Sequence, residues 1–268
     1  MLNELKKLKV FDSIIFLDNT HTYKINGEPS AKVSVTGLVG SVKEPFEENK
    51  WAAIKAKKEG CTTEEMKAFW KRNNRMSTYQ GSTLHTYIEN YYQNKVIPYD
   101  RTNARDVLGE ELANKMRDNL HVLVRQFGKF YNDTKDTILP IKHELVIGDI
   151  DDTRICGMLD MLSYNVETES FEIYDFKTNK AFSRESKFNK YLLEPLTHLQ
   201  ECEHNTYSLQ LSLYSYFIRK YTGIEISKLK IAWFSINNDD YKVIDLEYMP
   251  NEVDSIIARY KELANASN

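Results

Sequence analysis

The order of the predicted helices and strands indicates an α/β protein of the α+β kind. From Asp106 onward the pattern gives a helix, three strands, a helix, two strands and a closing helix, which contains an αβββαβ unit. A chain of 268 residues, 41% of them hydrophobic, can bury one substantial core. We therefore expect a single domain over residues 1–268, with an N-terminal hairpin and helical elaboration in residues 1–78 and the core in residues 79–268.

The first 78 residues are typical of a hairpin followed by short helices. β-Branched and aromatic residues flank a polar turn at Asp18–His21, which predicts two paired strands. Ser34 is a suitable N-cap for a short helix, and Thr62 or Thr63 followed by two glutamates marks the start of another. The expected elements are strands Ile14–Asp18 and Thr22–Ile25 and helices Pro45–Lys58 and Thr63–Arg75, with Trp51 and Trp70 packed inward.

Hydrophobic periodicity places the remaining elements. Asp106–Tyr131 carries an apolar stripe at helical spacing and is the longest predicted helix. A separate helix is predicted to begin at Gly81 and to end near Tyr92. The segment Asn179–Gln200 is polar and is predicted to be irregular. The other predicted elements are strands Ile138–Ile147, Cys156–Tyr164, Phe171–Lys177, Lys228–Ile236 and Lys242–Tyr248 and helices Thr206–Tyr221 and Asn251–Leu263.

The predicted hairpin over residues 156–177 brings acidic residues together. If its turn is symmetric and of even length, residues whose numbers sum to 335 face each other, and Asp160 faces Asp175. Like charges at that spacing are destabilising unless a cation compensates them, and carboxylates suit Mg²⁺ or Mn²⁺. Strand alternation places Lys177 on the face of Asp175, with Phe176 on the other face. Two acids and a lysine then share one patch, whereas an odd turn would separate the acids.

Further candidate residues lie outside the hairpin. His85 and Glu89 are one turn apart on a predicted helix, as are Gln210 and Tyr214, so each pair shares a helix face. Glu144 lies on the strand that precedes the hairpin. A lone histidine on a helix is more often packed or solvated than a ligand, and a packing role explains Tyr214 as well as a catalytic one.

Charge narrows the classes of partner. The formal net charge of −3 gives no global signal for nucleic acid, although a local basic groove is sufficient for phosphate contacts. One local cluster exists, and a solvated helix face explains it equally well. It consists of Lys50, Lys55, Lys57, Lys58, Lys67, Lys71, Arg72 and Arg75.

Several classes of protein are disfavoured. No apolar run reaches the roughly 18 residues of a membrane-spanning helix, and the segment MLNELKKLKVFD lacks the features of a secretory signal. The three widely separated cysteines provide neither a disulfide framework nor a four-cysteine metal site. No Walker A loop is present, so ATP is not expected. We expect a cytoplasmic protein, in the bacterial host's cytoplasm if a phage encodes it.

Taken in order, these residues resemble the motifs of the PD-(D/E)XK nuclease superfamily, in particular its RecB-like exonuclease branch. That branch includes recombination and phage exonucleases and the mitochondrial genome maintenance exonuclease. The resemblance covers roughly residues 80–235 and implies a restriction-endonuclease-like core, in which helices flank a central mixed sheet. The matching segments are Gly81–His85, Glu144, Gly157–Asp160, Asp175–Lys177 and Gln210–Tyr214.

The resemblance also implies roles for single residues. It makes Mg²⁺ or Mn²⁺ the cofactor, and because the iron–sulfur members carry four flanking cysteines, no iron–sulfur cluster is expected. Lys177 would orient or deprotonate the attacking water, and Glu144 would bind a second metal or a metal-bound water. Gln210 and Tyr214 would hold Lys177 or a DNA phosphate. The implied metal ligands are His85, Asp160, Asp175 and the main-chain carbonyl of Phe176.

The expected function is a metal-dependent DNA exonuclease that leaves 5′-phosphate ends and acts in recombination, repair or phage DNA processing. Its expected partner is linear DNA with free ends. A recombination or single-strand-binding protein stays open as a second partner, and the oligomeric state is not predicted. The alternatives are a structure-selective or restriction-type endonuclease, a catalytically silent DNA-binding module of the same fold, and a ribonuclease.

Overall fold

The computed structural model describes residues 2–95 and 99–266. The chain forms two compact units. The first contains the residues up to Glu44, Asp133–Trp233 and the residues from Lys242 onward, and the second contains Pro45–Asn132 and Phe234–Tyr241. The expectation that the whole chain is one domain stays a prediction.

The helices and strands follow one another along the described residues. The N-terminal elements are helix α1 (Leu2–Lys7), a 3₁₀ helix (Leu8–Ser13), strands β1 (Ile14–Leu17), β2 (Thr22–Ile25) and β3 (Glu28–Pro29), and helix α2 (Val35–Ser41). Helices α3 (Glu48–Glu59), α4 (Thr63–Tyr92), α5 (Arg101–Leu108) and α6 (Glu110–Thr134) come next. The remaining elements are β4 (Ile138–Gly148), β5 (Cys156–Asn165), β6 (Ser170–Lys177), α7 (Glu203–Thr222), β7 (Ile226–Trp233), β8 (Lys242–Leu246) and α8 (Pro250–Ala266).

A five-stranded mixed sheet forms the centre of the first unit. Its strand order is β4-β5-β6-β7-β8, in which β6 and β7 are parallel and the other neighbours are antiparallel. Parallel neighbours need a crossover connection, and α7 lies in the connection from β6 to β7. The predicted α/β fold, with an αβββαβ core around a central mixed sheet, is therefore confirmed.

Helix α7 is the main apolar support of this sheet. Leu209, Leu213 and Phe217 have no exposed surface and belong to the same core as Ile173 and Ile231 of the strands. A helix that is buried on most sides needs apolar residues around most of its circumference, and the sequence of α7 supplies them. The helix thereby fixes the position of its few polar side chains, which include Gln210.

The β5–β6 hairpin has the register that the sequence predicts. Its pairs run from Asn165↔Ser170 to Met161↔Tyr174, and the two numbers in each pair sum to 335. The even turn between the strands is what sets this register, since an odd turn would have shifted it by one residue. The next position along the hairpin is that of Asp160 and Asp175.

The second unit is helical, and its helices differ from the predicted ones. The helices predicted over Thr63–Arg75 and from Gly81 to Tyr92 are one 30-residue helix, α4. Gly81 does not interrupt it, because a helix can absorb the cost of one glycine, about 1 kcal/mol, when neighbouring residues favour it. The predicted start is confirmed, since Thr62 forms a capping box with Glu65.

A glycine does break the helix that was predicted over Asp106–Tyr131. Gly109 has φ +82° and separates α5 from α6, and this backbone conformation is easy only for glycine. The longest helix is therefore α4 and not this one. The predicted apolar stripe persists on α6, where Met116, Leu123 and Phe127 have no exposed surface.

The two tryptophans predicted to pack inward behave differently. Trp70 is half-buried and packs against a small core of Ala52, Ala56 and Met66. Trp51 is 37% exposed, so its predicted inward position is wrong. In α3 the buried face is made by the two alanines, and the ring of Trp51 lies outside it. Within the described residues, no helix combines the length and apolarity that crossing a bilayer requires.

Candidate active site

Asp160 lies where the pairing of β5 with β6 stops being a regular ladder. Its Oδ2 accepts a hydrogen bond from the backbone N–H of Phe176, with an N···O distance of 2.6 Å. The aspartate side chain thus accepts the hydrogen bond that a backbone carbonyl of β5 would accept in a regular ladder. Asp160 and Asp175 are 8% and 2% exposed, so both predicted acids lie in the interior of the first unit.

Lys177 forms an ion pair with the Asp175 carboxylate. Its Nζ also lies 5.2 Å from the centre of the Tyr207 ring, within the range of a cation–π contact. Burial by itself would lower the pKa of Lys177, but the charges of Asp175 and Asp160 outweigh it and raise that pKa. Lys177 is therefore a protonated ammonium group at neutral pH in the metal-free protein.

Gln210 connects Asp175 to Tyr214. Its Nε2 lies 3.5 Å from Asp175 Oδ1 and 3.5 Å from the Tyr214 hydroxyl oxygen, and it donates to both acceptors. Burial, followed by the charge of Asp175, raises the pKa of Tyr214 well above its ordinary value. Tyr214 stays neutral. Gln210 and Tyr214 share one face of α7, as their spacing predicts, and on that face Gln210 contacts Asp175.

Gly157 gives Tyr214 the space for its ring. A Cβ atom on Gly157 would lie 2.7 Å from Tyr214 Cε1 and 3.0 Å from Val35 Cγ2, closer than atoms of these types normally approach. The glycine of the G-x-x-D segment therefore permits α2 and α7 to pack against β5. Ser34 begins α2 as predicted, since its hydroxyl accepts the backbone N–H of Gly37 at 3.2 Å.

Glu144 lies opposite Asp160 on the neighbouring strand. The pairs His143↔Met161 and Leu145↔Leu159 flank this position, so the third acid adjoins the same patch. Glu144 has φ +46°, a left-handed conformation that costs a non-glycine residue about 1–2 kcal/mol. Residues in such conformations cluster at functional sites, where the rest of the fold supports the strain.

His85 is located in the second unit, on α4, and is half-buried. Glu89 follows it one turn later and is also half-buried. The two residues share one face of the helix, as their spacing predicts. The role of His85 as a metal ligand stays a prediction.

Tyr207 and Tyr23 are residues of this region that the sequence analysis did not identify. Tyr207 precedes Gln210 by three residues and Tyr214 by seven, so helical spacing places all three on one face of α7. That spacing is the signal that could have revealed Tyr207. Burial, then the charges of Cys156 and Glu144, raises the pKa of Tyr23 to about 12. No spacing rule connects Tyr23 with Glu144, because they belong to different sheets.

The irregular segment predicted over Asn179–Gln200 contains no helix and is held by side chains near its start. Trp233 Nε1 donates to the backbone oxygen of Asn179 at 2.7 Å. The Phe182 ring lies 6.0 Å from that of Tyr207 and 5.9 Å from that of Trp233. These contacts place the chain that follows Lys177 beside Tyr207.

A model of the PD-(D/E)XK nuclease superfamily matches residues 63–268. The chain belongs to this superfamily. The nucleases of this superfamily use divalent metals. That Asp160, Asp175 and Lys177 form the metal site of this chain stays a prediction. Among solved structures, one described as "Crystal structure of SSO0001" is 10% identical, covers 68% of this chain and 85% of that chain, and has a TM-score of 0.28. A search of curated protein sequences finds no significant match.

The charge distribution around Asp160 and Asp175 fits a divalent cation. Asp160 and Asp175 both act on the single ammonium group of Lys177, so the two carboxylates exceed it by one negative charge. Glu144 adds a third carboxylate at the same place in the sheet. Carboxylate oxygens are hard ligands of the kind that Mg²⁺ and Mn²⁺ prefer.

Proposed function

We propose that this protein is a metal-dependent DNA exonuclease that hydrolyses phosphodiester bonds from free DNA ends and leaves 5′-phosphate and 3′-hydroxyl groups. The arrangement of Asp160, Asp175 and Lys177 supports the hydrolytic activity. The order of the motifs along the chain, which resembles that of the RecB-like branch, supports the exonuclease activity.

The metal ion would be held by Asp160 and Asp175, with His85 and the main-chain carbonyl of Phe176 as further ligands and Glu144 close by. In a β-strand the N–H and C=O of one residue point to the same side. Since the Phe176 N–H donates to Asp160, its carbonyl is expected on the side of Asp160 as well. A bound divalent ion would polarise the scissile phosphate and lower the pKa of a bound water.

The residues of this chain then have distinct tasks. Lys177, held as a cation by the two aspartates, orients the attacking water and stabilises the negative charge that develops on the phosphate. It does not act as the base while its pKa is raised. Gln210 fixes the orientation of Asp175, and Tyr214 fixes Gln210.

Digestion of matched linear and covalently closed DNA tests this proposal. We expect loss of linear DNA only, in Mg²⁺ or Mn²⁺, with no loss in chelator or with Lys177→Ala. Lys228→Ala is the matched control, because Lys228 is an exposed lysine of β7, and it should digest DNA as the wild type does. Equal cleavage of closed circles would show an endonuclease, and no cleavage of either form would refute the enzyme.

The biological setting is part of the proposal and depends on the resemblance alone. It is recombination, repair or phage DNA processing in a cytoplasm, on linear DNA, with a recombination or single-strand-binding protein as an open second partner. Labelling each DNA end in the digestion assay gives the polarity, and a matched RNA substrate tests the ribonuclease alternative.

A further inference from the structure

A cavity of about 800 Å³ lies within the second unit along one face of α4. Four tyrosines line it: Tyr79, Tyr87, Tyr91 and Tyr99. The first three are eight and four residues apart, so the helix presents them on one face. The volume falls in the range of about 300–1,000 Å³ that is usual for small-ligand pockets. The cavity therefore has the size and the walls for an aromatic ligand.

Two of these rings offer open surfaces within the cavity. Tyr87 and Tyr91 are 36% and 41% exposed, and their centroids are 6.1 Å apart with planes inclined by 36°. Phe127 supports Tyr91 edge-on at 5.3 Å, which holds the ring in place. Exposed tyrosine rings on a rigid helix are a platform on which a nucleic-acid base can stack.

The charges around the cavity favour an anionic ligand. Lys95 and Arg117 both line it, and they would repel a cationic ligand of the type that tyrosine cages bind. Arg117 also forms an exposed ion pair with Asp118 at 3.0 Å, and such a pair contributes little and can give way to a phosphate. Asp100 is the acid on the lining, and its carboxylate is engaged by the backbone N–H of Asn103 at 2.9 Å, as the N-cap of α5. A ligand with an aromatic ring and a negative charge suits these walls.

The Tyr99 hydroxyl is a buried polar group on the lining of the cavity. The Tyr99 hydroxyl is buried and has no hydrogen bond among the residues that the structure describes. Burial raises the pKa of Tyr99, and likewise that of Tyr87, so both hydroxyls remain protonated and can donate. A buried polar group is costly unless it is satisfied, and an acceptor atom on a bound ligand would satisfy it.

We propose that this cavity binds a nucleotide of single-stranded DNA, with its base against Tyr87 and Tyr91 and its phosphate towards Arg117. The inference rests on the proposed function, since a nuclease that digests from DNA ends must hold a strand. A free mononucleotide has the same base and phosphate, so the experiment has to separate the two sources.

Binding is measured in chelator and in the Lys177→Ala background, so that no cleavage occurs. The probes are a single-stranded oligonucleotide that carries 2-aminopurine, whose fluorescence falls when it stacks, and free dAMP as a competitor. Tyr87→Leu removes the aromatic ring, and Tyr87→Phe keeps it as the matched control. Arg117→Gln removes a cation from the lining, and Lys115→Gln removes an exposed cation of α6 that is not on the lining.

We expect Tyr87→Leu to weaken oligonucleotide binding about tenfold or more and to abolish the quenching, because stacking on one ring contributes that much. Tyr87→Phe should bind nearly as the parent does. Arg117→Gln should weaken binding and flatten its dependence on salt, and Lys115→Gln should not. Thermal melts of all four variants establish that they are folded.

Two results would overturn the proposal. Equal affinity and quenching in Tyr87→Leu and Tyr87→Phe would show that the ring is not a stacking surface. Competition by dAMP at concentrations as low as those of the oligonucleotide would make the free nucleotide the occupant and exclude the strand. A wild-type protein that binds the oligonucleotide as described but never cleaves DNA would refute the nuclease and leave the cavity assignment standing.

Discussion

At the scale of single residues, Gly157 shows how the site depends on a side chain that is absent. Asp160, three residues later, can be identified as a candidate metal ligand from its charge. Gly157 instead acts only by leaving room for the Tyr214 ring. Tyr214 contacts Gln210, and Gln210 contacts Asp175. A change at Gly157 should therefore affect the position of Asp175 through these three contacts.

Gly157→Ala is expected to destabilise the protein by about 1–3 kcal/mol, the usual cost of overpacking a core. The added Cβ would stand 2.7 Å from Tyr214 Cε1 and must displace that ring or Val35. Chemical denaturation measures the loss, and Gly157→Ala combined with Tyr214→Leu should recover part of it.

The matched control for that substitution is Gly128→Ala. Gly128 lies within α6 and has open space where its Cβ would be, so the change should be neutral or stabilise by up to about 1 kcal/mol through helix propensity. If Gly128→Ala and Gly157→Ala change the free energy of unfolding equally, the close approach of Tyr214 is not the reason that residue 157 is a glycine.

At the scale of elements, a buried carboxylate joins the end of β4 to the end of α7. Asp149 is 1% exposed, and its Oδ1 accepts from Lys220 Nζ and from the Tyr221 hydroxyl, each at 2.6 Å. Its Oδ2 accepts from the backbone N–H and the hydroxyl of Thr153 at 3.0 and 2.9 Å. Four donors therefore satisfy one acid that burial would otherwise destabilise.

This network makes a prediction about pH. Burial pushes the pKa of Asp149 upward, but the bonds from Lys220, Tyr221 and Thr153 outweigh it, and the net pKa is lowered. A lowered carboxyl pKa contributes stability that is complete above the ordinary aspartate pKa, about 3.9, and is lost as pH falls through the folded-state value. Thermal melts from pH 7 downward should show that acid loss.

Asp149→Asn should remove that part of the acid dependence and lower stability at pH 7 by about 2–3 kcal/mol, since it leaves Lys220 without its charge partner. Asp254→Asn, an exposed acid of α8, is the control and should change neither quantity. Parallel pH profiles in Asp149→Asn and the wild type would show that the network does not contribute through ionisation.

Local chemistry explains what the sequence could predict at this scale. The β5–β6 register follows from an even turn and alternation, and the starts of α2 and α4 follow from Ser34 and Thr62, because each signal lies within a few residues of its effect. The position of Gln210 and Tyr214 on one helix face follows from spacing for the same reason.

The errors have the opposite cause. Gly81 lies within α4, whereas Gly109, with φ +82°, separates α5 from α6. Glycine adopts both conformations readily, so the residue type alone does not decide between them. The contact of Tyr214 with Gly157 and the nearness of Tyr23 to Glu144 join residues far apart in the chain. Neither periodicity nor spacing contains that information, and the tyrosine cavity of α4 was missed for the same reason.

At the scale of the whole molecule, an anionic protein has to bind an anionic substrate. The net charge is −3, but the segment from Pro45 to Arg75 carries eight basic residues against five acidic ones. Lys50 and Lys55 form exposed ion pairs with Glu47 and Glu59, which contribute little and are easily exchanged for phosphate. Asp160 and Asp175, by contrast, are buried beside Lys177, where a metal ion would compensate their charge.

That distribution predicts how the protein responds to metal. Asp160 and Asp175 meet one ammonium group in the metal-free state, so a divalent ion that binds the folded state should stabilise it in proportion to the logarithm of its concentration. Melting curves in Mn²⁺, in Mg²⁺ and in chelator measure the shift.

Asp160→Asn keeps an oxygen that can accept the Phe176 N–H but loses the charge. In chelator, Asp160→Asn should melt at or above the wild-type temperature. Mn²⁺ should not raise its melting temperature, and it should cleave no DNA. An equal Mn²⁺ shift in Asp160→Asn and the wild type would place the metal elsewhere.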